Sequence, residues 1–246
     1  MELKDKVALL TGITRIGRTV ALKLAEAGAD IVLTYHRSRD VAEQTARGIE
    51  SKGRRALAIQ TDVSQSSQVS ALVEQALAVF GGIDILVYMA SVYKTKTYAH
   101  LIEEDWDWNL NVDLKGAYLC ARGVEESMKA RGGGRIINFA DWIAASGRPR
   151  YKGYLPYYVA KRGVIGLTEA LALELAPYNI LVNCIAPGPI LPPPDLTLEE
   201  DAEVRAATPL GRWGGAEEVA KVVLALIESD FITGECIRVD GGRHMY

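Results

Sequence analysis

At 246 residues, 49% of them apolar, the chain is long enough to bury a substantial core. Its 28 basic and 31 acidic residues leave a formal charge of −3, which argues against a nucleic-acid binder relying on a broad basic face. No apolar run approaches the roughly 20 residues needed to span a bilayer.

Cys120, Cys184 and Cys236 lie far apart in apolar runs, a pattern of buried free thiols with neither a disulfide framework nor a zinc pair. The opening MELKDKVALLTG lacks the layout of a signal peptide. A soluble, cytoplasmic protein with no metal site, no membrane partner and no nucleic-acid partner is expected.

Short apolar runs alternate with longer amphipathic ones. KVALLT (6–11) reads as a buried strand, and RTVALKLAEAG (18–28) as a helix stopped by Gly28. DIVLTY (30–35) is the second strand, VAEQTARGIESKG (41–53) the second helix, and RALAIQTD (55–62) the third strand. A helix over 66–80 leads to strand IDILVYM (83–89), and a single long helix is expected from about 104 to 130. Strand GRIINFA (134–140), helix 156–176, strand ILVNCIA (180–186), helix 216–228 and strand ECIRVD (235–240) complete the series. Strict alternation predicts an α/β fold, a parallel sheet covered on both faces with right-handed crossovers. The proline-rich, then acidic, connection 187–215 reads as a surface loop with a short helix that serves as a lid, about 188–215.

Ligands of open parallel sheets bind beyond the carboxyl ends of the strands. The first such turn is TGITRIGRT (11–19), in which Gly12 permits a sharp turn and Gly17 a close helix–strand approach. The N–H groups opening the next helix favour a phosphate, and Arg15 and Arg18 add positive charge. After the second strand, TYHRSRD (34–40) offers His36, Arg37 and Ser38 where an NAD enzyme usually offers an acid to the ribose hydroxyl. A guanidinium with two further hydrogen-bonding groups suits a 2′-phosphate, hence NADPH over NADH. Asp62 and Val63, ending the third strand, are positioned for the edge and face of an adenine.

Residues 140–161, ADWIAASGRPRYKGYLPYYVAK, contain four tyrosines. Tyr157 and Lys161 are one helical turn apart and project from one face. Tyr158 shares that spacing with Arg162, which is always protonated and a poor relay. An ammonium beside a phenol lowers its pKa from about 10, so Lys161 is expected to acidify Tyr157.

Together the TG…G turn, Asp62, Y-x-x-x-K at 157–161, N-x-x-x-P-G at 183–188 and TGECIRVDGG at 233–242 resemble the short-chain dehydrogenase/reductase family over essentially the whole chain. The resemblance implies one doubly wound Rossmann-type domain over 1–246 with a seven-stranded parallel sheet, a homotetramer, Tyr157 as proton donor and Lys161 beside it. It extends the cofactor site to Ile16, Ala90, Pro187, Gly188 and Ile190. Departures are informative. Asp141 stands where the family usually has serine, VYMAS (87–91) replaces NNAG, Asp113, with Asn111 two residues earlier, stands near the usual asparagine, and the Gly-rich turn is one residue shorter than the family's and lacks its third glycine.

Asp141, Arg15 and YHRS (35–38) resemble pteridine reductases, and the ending DGGRHMY resembles dihydromonapterin reductases. That resemblance implies a flat heteroaromatic small-molecule substrate held by Tyr93, Ser91 and Arg15. Asp141 and Tyr157 then serve the proton of C=N reduction, Asp141 either as relay or as anchor for a ring amino group. The spacing from Asp141 to Tyr157 is three residues longer than in pteridine reductases. Reduction of a 3-oxoacyl thioester on a carrier protein, and silent NADPH binding by a sensor, are the alternatives.

Overall fold

Seven strands run β1 (Val7–Thr11), β2 (Asp30–Tyr35), β3 (Ala56–Gln60), β4 (Ile85–Tyr88), β5 (Gly134–Phe139), β6 (Ile180–Pro187) and β7 (Cys236–Val239) in a computed structural model that describes residues 1–245. Tyr246, which closes the ending DGGRHMY, lies outside the described residues. All strand pairs are parallel, in the spatial order β3-β2-β1-β4-β5-β6-β7. The order reverses between β1 and β4, so their carboxyl ends, Thr11 beside Tyr88, flank the crevice of a doubly wound sheet.

The helices are α1 (Ile16–Glu26), α2 (Arg39–Glu50), α3 (Ser66–Phe80), α4 (Glu103–Asn109), α5 (Gly116–Ala130), α6 (Trp142–Ser146), α7 (Leu155–Leu175), α8 (Leu198–Ala206) and α9 (Ala216–Glu228). Alternate strand residues feed two core layers, as the period of two requires. Leu10, Leu33, Val87, Ile137 and Ile185 pack with Val20 and Leu24 of α1 and Val223 of α9. Leu9, Val32, Leu86, Ile136 and Val182 pack with Leu72 of α3 and Val124 of α5 on the other face. Each fully buried Leu or Ile contributes roughly 1.5–3 kcal/mol, which is why these strands are apolar runs with little alternation. No helix among the described residues is long and apolar enough to cross a membrane.

The single helix expected over 104–130 is two helices joined by a π turn, Leu110–Lys115. The cause is Tyr88. Its hydroxyl donates to the Val112 carbonyl, and Gly116 N–H bonds Asn111 instead. A side chain inserted into the helical ladder widens the turn. Gly116 permits the approach, since a Cβ there would lie 2.2 Å from the Tyr88 oxygen. The widened turn carries Asp113 inward, to full burial. Tyr88→Phe leaves the Val112 carbonyl unpaired and is expected to cost about 1–3 kcal/mol. For a chain of this length that is a drop in melting temperature of roughly 2–12 °C in a thermal melt.

Candidate active site

The turn between β1 and α1 is held by backbone approach. Gly12 has φ +66°, and a Cβ on it would lie 2.4 Å from the Met89 carbonyl oxygen. A Cβ on Gly17 would lie 2.3 Å from the Gly12 oxygen. Thr11 Oγ1 accepts from Met89 N (3.0 Å) and Ala90 N (2.9 Å), joining the tips of β1 and β4. With one residue fewer than the family turn, the left-handed backbone falls on Arg15, at φ +54°. A non-glycine residue there stores strain. Its Nη2 donates to the Leu191 carbonyl at 2.6 Å, tying the turn to the 188–215 connection. The first turn of α1 has no acidic residue and no side-chain cap, so its N–H groups and dipole are open to an anion.

Around this turn, Ile16 and Ala90 are half-buried and Ile190 is buried. A Cβ on Gly188, just beyond Pro187 at the end of β6, would meet Asp240 Cβ at 2.5 Å. His36 and Arg37 are exposed at the end of β2 with Ser38 half-buried beside them, and Arg37 makes no ion pair among the described residues. Asp62 accepts from Ser64 N (3.0 Å) and Ser64 Oγ (2.7 Å). Burial pushes its carboxyl up, but the Ser64 bonds outweigh that and hold it below the usual range. Val63, read as a face for adenine, is instead buried with Leu72 and Tyr88, against Gly116.

Asp141 and Tyr157 meet across the tip of β5. Asp141 caps α6, a helix too short for its period to be read, by accepting from Ile143 N at 2.8 Å. Its other oxygen accepts from the Tyr157 hydroxyl at 3.0 Å. Pro156, in the first turn of α7, and the three-residue longer loop before it bring Tyr157 there. That loop is anchored by Lys96 N donating to the Gly153 carbonyl at 2.9 Å. Tyr93 is exposed, its ring centroid 5.7 Å from that of Tyr157 and tilted 56°.

Lys161 follows one turn later, its Nζ 5.7 Å from the centre of the Tyr157 ring. It is buried, donates to the Phe139 carbonyl at 2.9 Å, and pairs with Asp113 Oδ1 at 3.0 Å. The same Asp113 oxygen accepts from Ser91 Oγ, while Oδ2 accepts from Val92 N at 3.2 Å. Ser91, expected to meet a ligand's polar edge, therefore directs its hydroxyl to Asp113.

These contacts reverse one expectation. The Tyr157 phenol lies well above its ordinary pKa, first because it is buried and then because Asp141 and Asp113 oppose its ionisation. Burial likewise raises the Asp141 carboxyl. The ammonium expected to acidify the phenol faces Asp113 and a carbonyl instead. The surroundings of Tyr157 thus favour its protonated form, with the hydroxyl donating to the Asp141 carboxyl.

His244, not singled out from the sequence, pairs through Nδ1 with Asp240 Oδ2 at 2.7 Å; the spacing D-x-x-x-H at 240–244 is the signal for it. Trp213 Nε1 donates to Asp201 Oδ1 at 2.7 Å and braces α8 within the 188–215 connection. Trp142 is buried, with the guanidinium groups of Arg150 and Arg243 over its ring at 5.4 and 5.8 Å from the centroid.

Residues 12–244 match the family described as enoyl-(acyl carrier protein) reductase. The 3-oxoacyl-(acyl-carrier-protein) reductase of Staphylococcus epidermidis is 36% identical, covering 98% of this chain and 100% of its own. A short-chain type dehydrogenase/reductase of Picea abies is 37% identical over 98% of this chain and 93% of its own. A solved short-chain dehydrogenase/reductase from Serratia marcescens superposes with a TM-score of 0.92 at 32% identity, covering 99% of this chain and 100% of that one.

Proposed function

The chain belongs to the short-chain dehydrogenase/reductase family, and from that premise we propose that it is an NADPH-dependent reductase of a pterin-like C=N bond or a related carbonyl. The observation that carries this reading is the 3.0 Å bond from the Tyr157 hydroxyl to Asp141, at a position where the family resemblance leads one to expect a serine. Reducing C=N leaves a nitrogen that must gain a proton, and a carboxyl in contact with the donor phenol can supply and replace it.

The residues present fit a nicotinamide dinucleotide. Gly12 and Gly17 leave room that a Cβ would fill, α1 opens toward it, and Arg37 is free to meet a 2′-phosphate. When bound, the reduced cofactor supplies the hydride. Tyr157 holds a proton at its hydroxyl, Asp141 accepts the bond that orients it, and Lys161 sits beneath the phenol ring. Tyr93, exposed beside Tyr157, is the ring on which a flat substrate would stack. The 188–215 connection serves as a lid whose link to Arg15 closes one side. The proposed unit is one domain over 1–246 in a cytoplasmic homotetramer, for which the exposed indoles of Trp106 and Trp108 offer apolar contact surface.

A second reading is favoured by the Staphylococcus epidermidis relative, namely reduction of a 3-oxoacyl thioester on a carrier protein. Cofactor oxidation followed by absorbance with dihydrobiopterin, dihydrofolate and an acetoacetyl thioester separates the two. Turnover with the pterins alone supports the first, and turnover with the thioester alone replaces it with the second. Arg37→Ala is expected to lose a charged hydrogen bond of about 1.5–3 kcal/mol. That predicts a Kd for NADPH raised about 10- to 100-fold by calorimetry, with NADH little changed.

A further inference from the structure

Resting on the reductase reading above, we propose that this site selects substrates carrying positive charge at the reacting bond, iminium-type C=N⁺ groups over neutral ketones and thioesters, and that Asp113 is the positioning residue that sets this preference. The observation is a charge balance. Asp113 is 0% exposed and Lys161 3%, and they pair at 3.0 Å, so the one ammonium beneath Tyr157 is matched by a carboxylate of its own. Asp141 is then left with neutral donors only, Ile143 N–H and the Tyr157 hydroxyl. The charged groups that oppose ionisation of Tyr157 are Asp141 and Asp113, with Tyr93 adding to them, and the cation acting on Asp141 is Lys161. Arginines on neighbouring elements donate to backbone carbonyls, Arg15 to Leu191, Arg150 to His244, Arg162 to Ala144 and Arg238 to Ala145. With asparagine in place of Asp113, the same site would hold one carboxylate against one ammonium.

The consequence follows from where electrons go. Hydride added to the carbon of a neutral C=O pushes the π pair onto oxygen, which becomes anionic beside the Asp141 carboxylate and must be quenched by a phenol whose ionisation Asp141 and Asp113 oppose. Hydride added to the carbon of C=N⁺ turns the π pair into the nitrogen lone pair. For an N-alkyl iminium the product is a neutral amine, no anion forms, and no proton is drawn from Tyr157; a neutral imine reaches the same cationic state by taking the proton that Tyr157 and Asp141 hold. Unlike charges also attract before reaction, and in a partly buried site they do so more strongly than in water.

The test uses the full chain and matched bicyclic probes. Binding is read by calorimetry at pH 8 with 2-methylisoquinolinium and with isoquinoline, which is uncharged there. Turnover is read as kcat/KM with N-methyl-3,4-dihydroisoquinolinium and with 1-tetralone. The cation is expected to bind at least 30-fold tighter, and the iminium to be reduced at least 100-fold faster than the ketone. Asp113→Asn, which keeps the acceptor for Ser91, is expected to shrink both ratios at least tenfold. It should also move tyrosinate formation at Tyr157, read near 295 nm against Tyr157→Phe, to lower pH. Equal binding of the two probes, or ratios and a titration that Asp113→Asn leaves in place, overturns the proposal. If Asp113→Asn does not fold, Asp141→Asn tests the same charge balance with the same expected ratios. Preferential binding of the cation without reduction of any probe leaves charge selection standing and removes the reductase reading. Reduction of the ketone on a par with the iminium does the opposite.

Discussion

Asp141→Ser is expected to lower kcat/KM for C=N reduction by about 10²- to 10⁴-fold, the range that a positioned proton-transfer group contributes. Serine is the informative replacement because Asp141 has two separable jobs. One oxygen caps α6 through Ile143 N, and serine caps a helix nearly as well as aspartate. The melting temperature should therefore stay within about 2 °C, since cap exchanges among these residues are worth only a few tenths of a kcal/mol. The other oxygen holds the Tyr157 hydroxyl, and a serine that reaches it brings no exchangeable carboxyl proton. Removing the carboxylate also removes a charge that opposes phenol ionisation, so the Tyr157 pKa falls. The donor form is lost above that pKa, and the alkaline limb of the pH–rate profile must move to lower pH. A neutral carbonyl, which gains from a more acidic phenol, should keep its rate or improve on it. Equal rate losses for C=N and C=O substrates, or an alkaline limb that stays in place, would contradict the relay.

The sheet was legible because β1, β2, β4, β5 and β6 are apolar on both faces, as strands buried between two helix layers must be. The Tyr157–Lys161 pair was legible because helical spacing is local. What the sequence hid was long-range. Lys161 finds Asp113 only because Tyr88, 24 residues from Val112, takes that carbonyl out of the helical ladder and widens the turn. No window of periodicity contains both residues. The acidity of Tyr157 is hidden for the same reason, since spacing shows which groups are neighbours but not which of them has already been neutralised. Arg15 shows the converse case. A missing glycine is visible in TGITRIG, but that the left-handed backbone falls on arginine depends on the geometry of the shortened turn.

Asp113→Ala is expected to destabilise the fold by about 3–5 kcal/mol, because removing one partner of a buried pair leaves the other charge without compensation. In a chain of this length, where each kcal/mol moves the melting temperature by about 2–4 °C, that is a fall of roughly 6–20 °C. The uncompensated member of the broken pair would be Lys161, held then only by the Phe139 carbonyl, while Ser91 Oγ and Val92 N would lose their acceptor. Lys161→Met should cost less, since Asp113 keeps both of those donors. The double variant replaces the pair by apolar groups, which is often neutral or stabilising. It is expected to melt above Asp113→Ala alone, with a coupling of about 0.5–3 kcal/mol in the cycle. Strictly additive losses would mean that the two charges do not support one another. A double variant that is stable yet inactive would show instead that the pair is kept for its place beneath Tyr157, since an apolar replacement holds the fold without it.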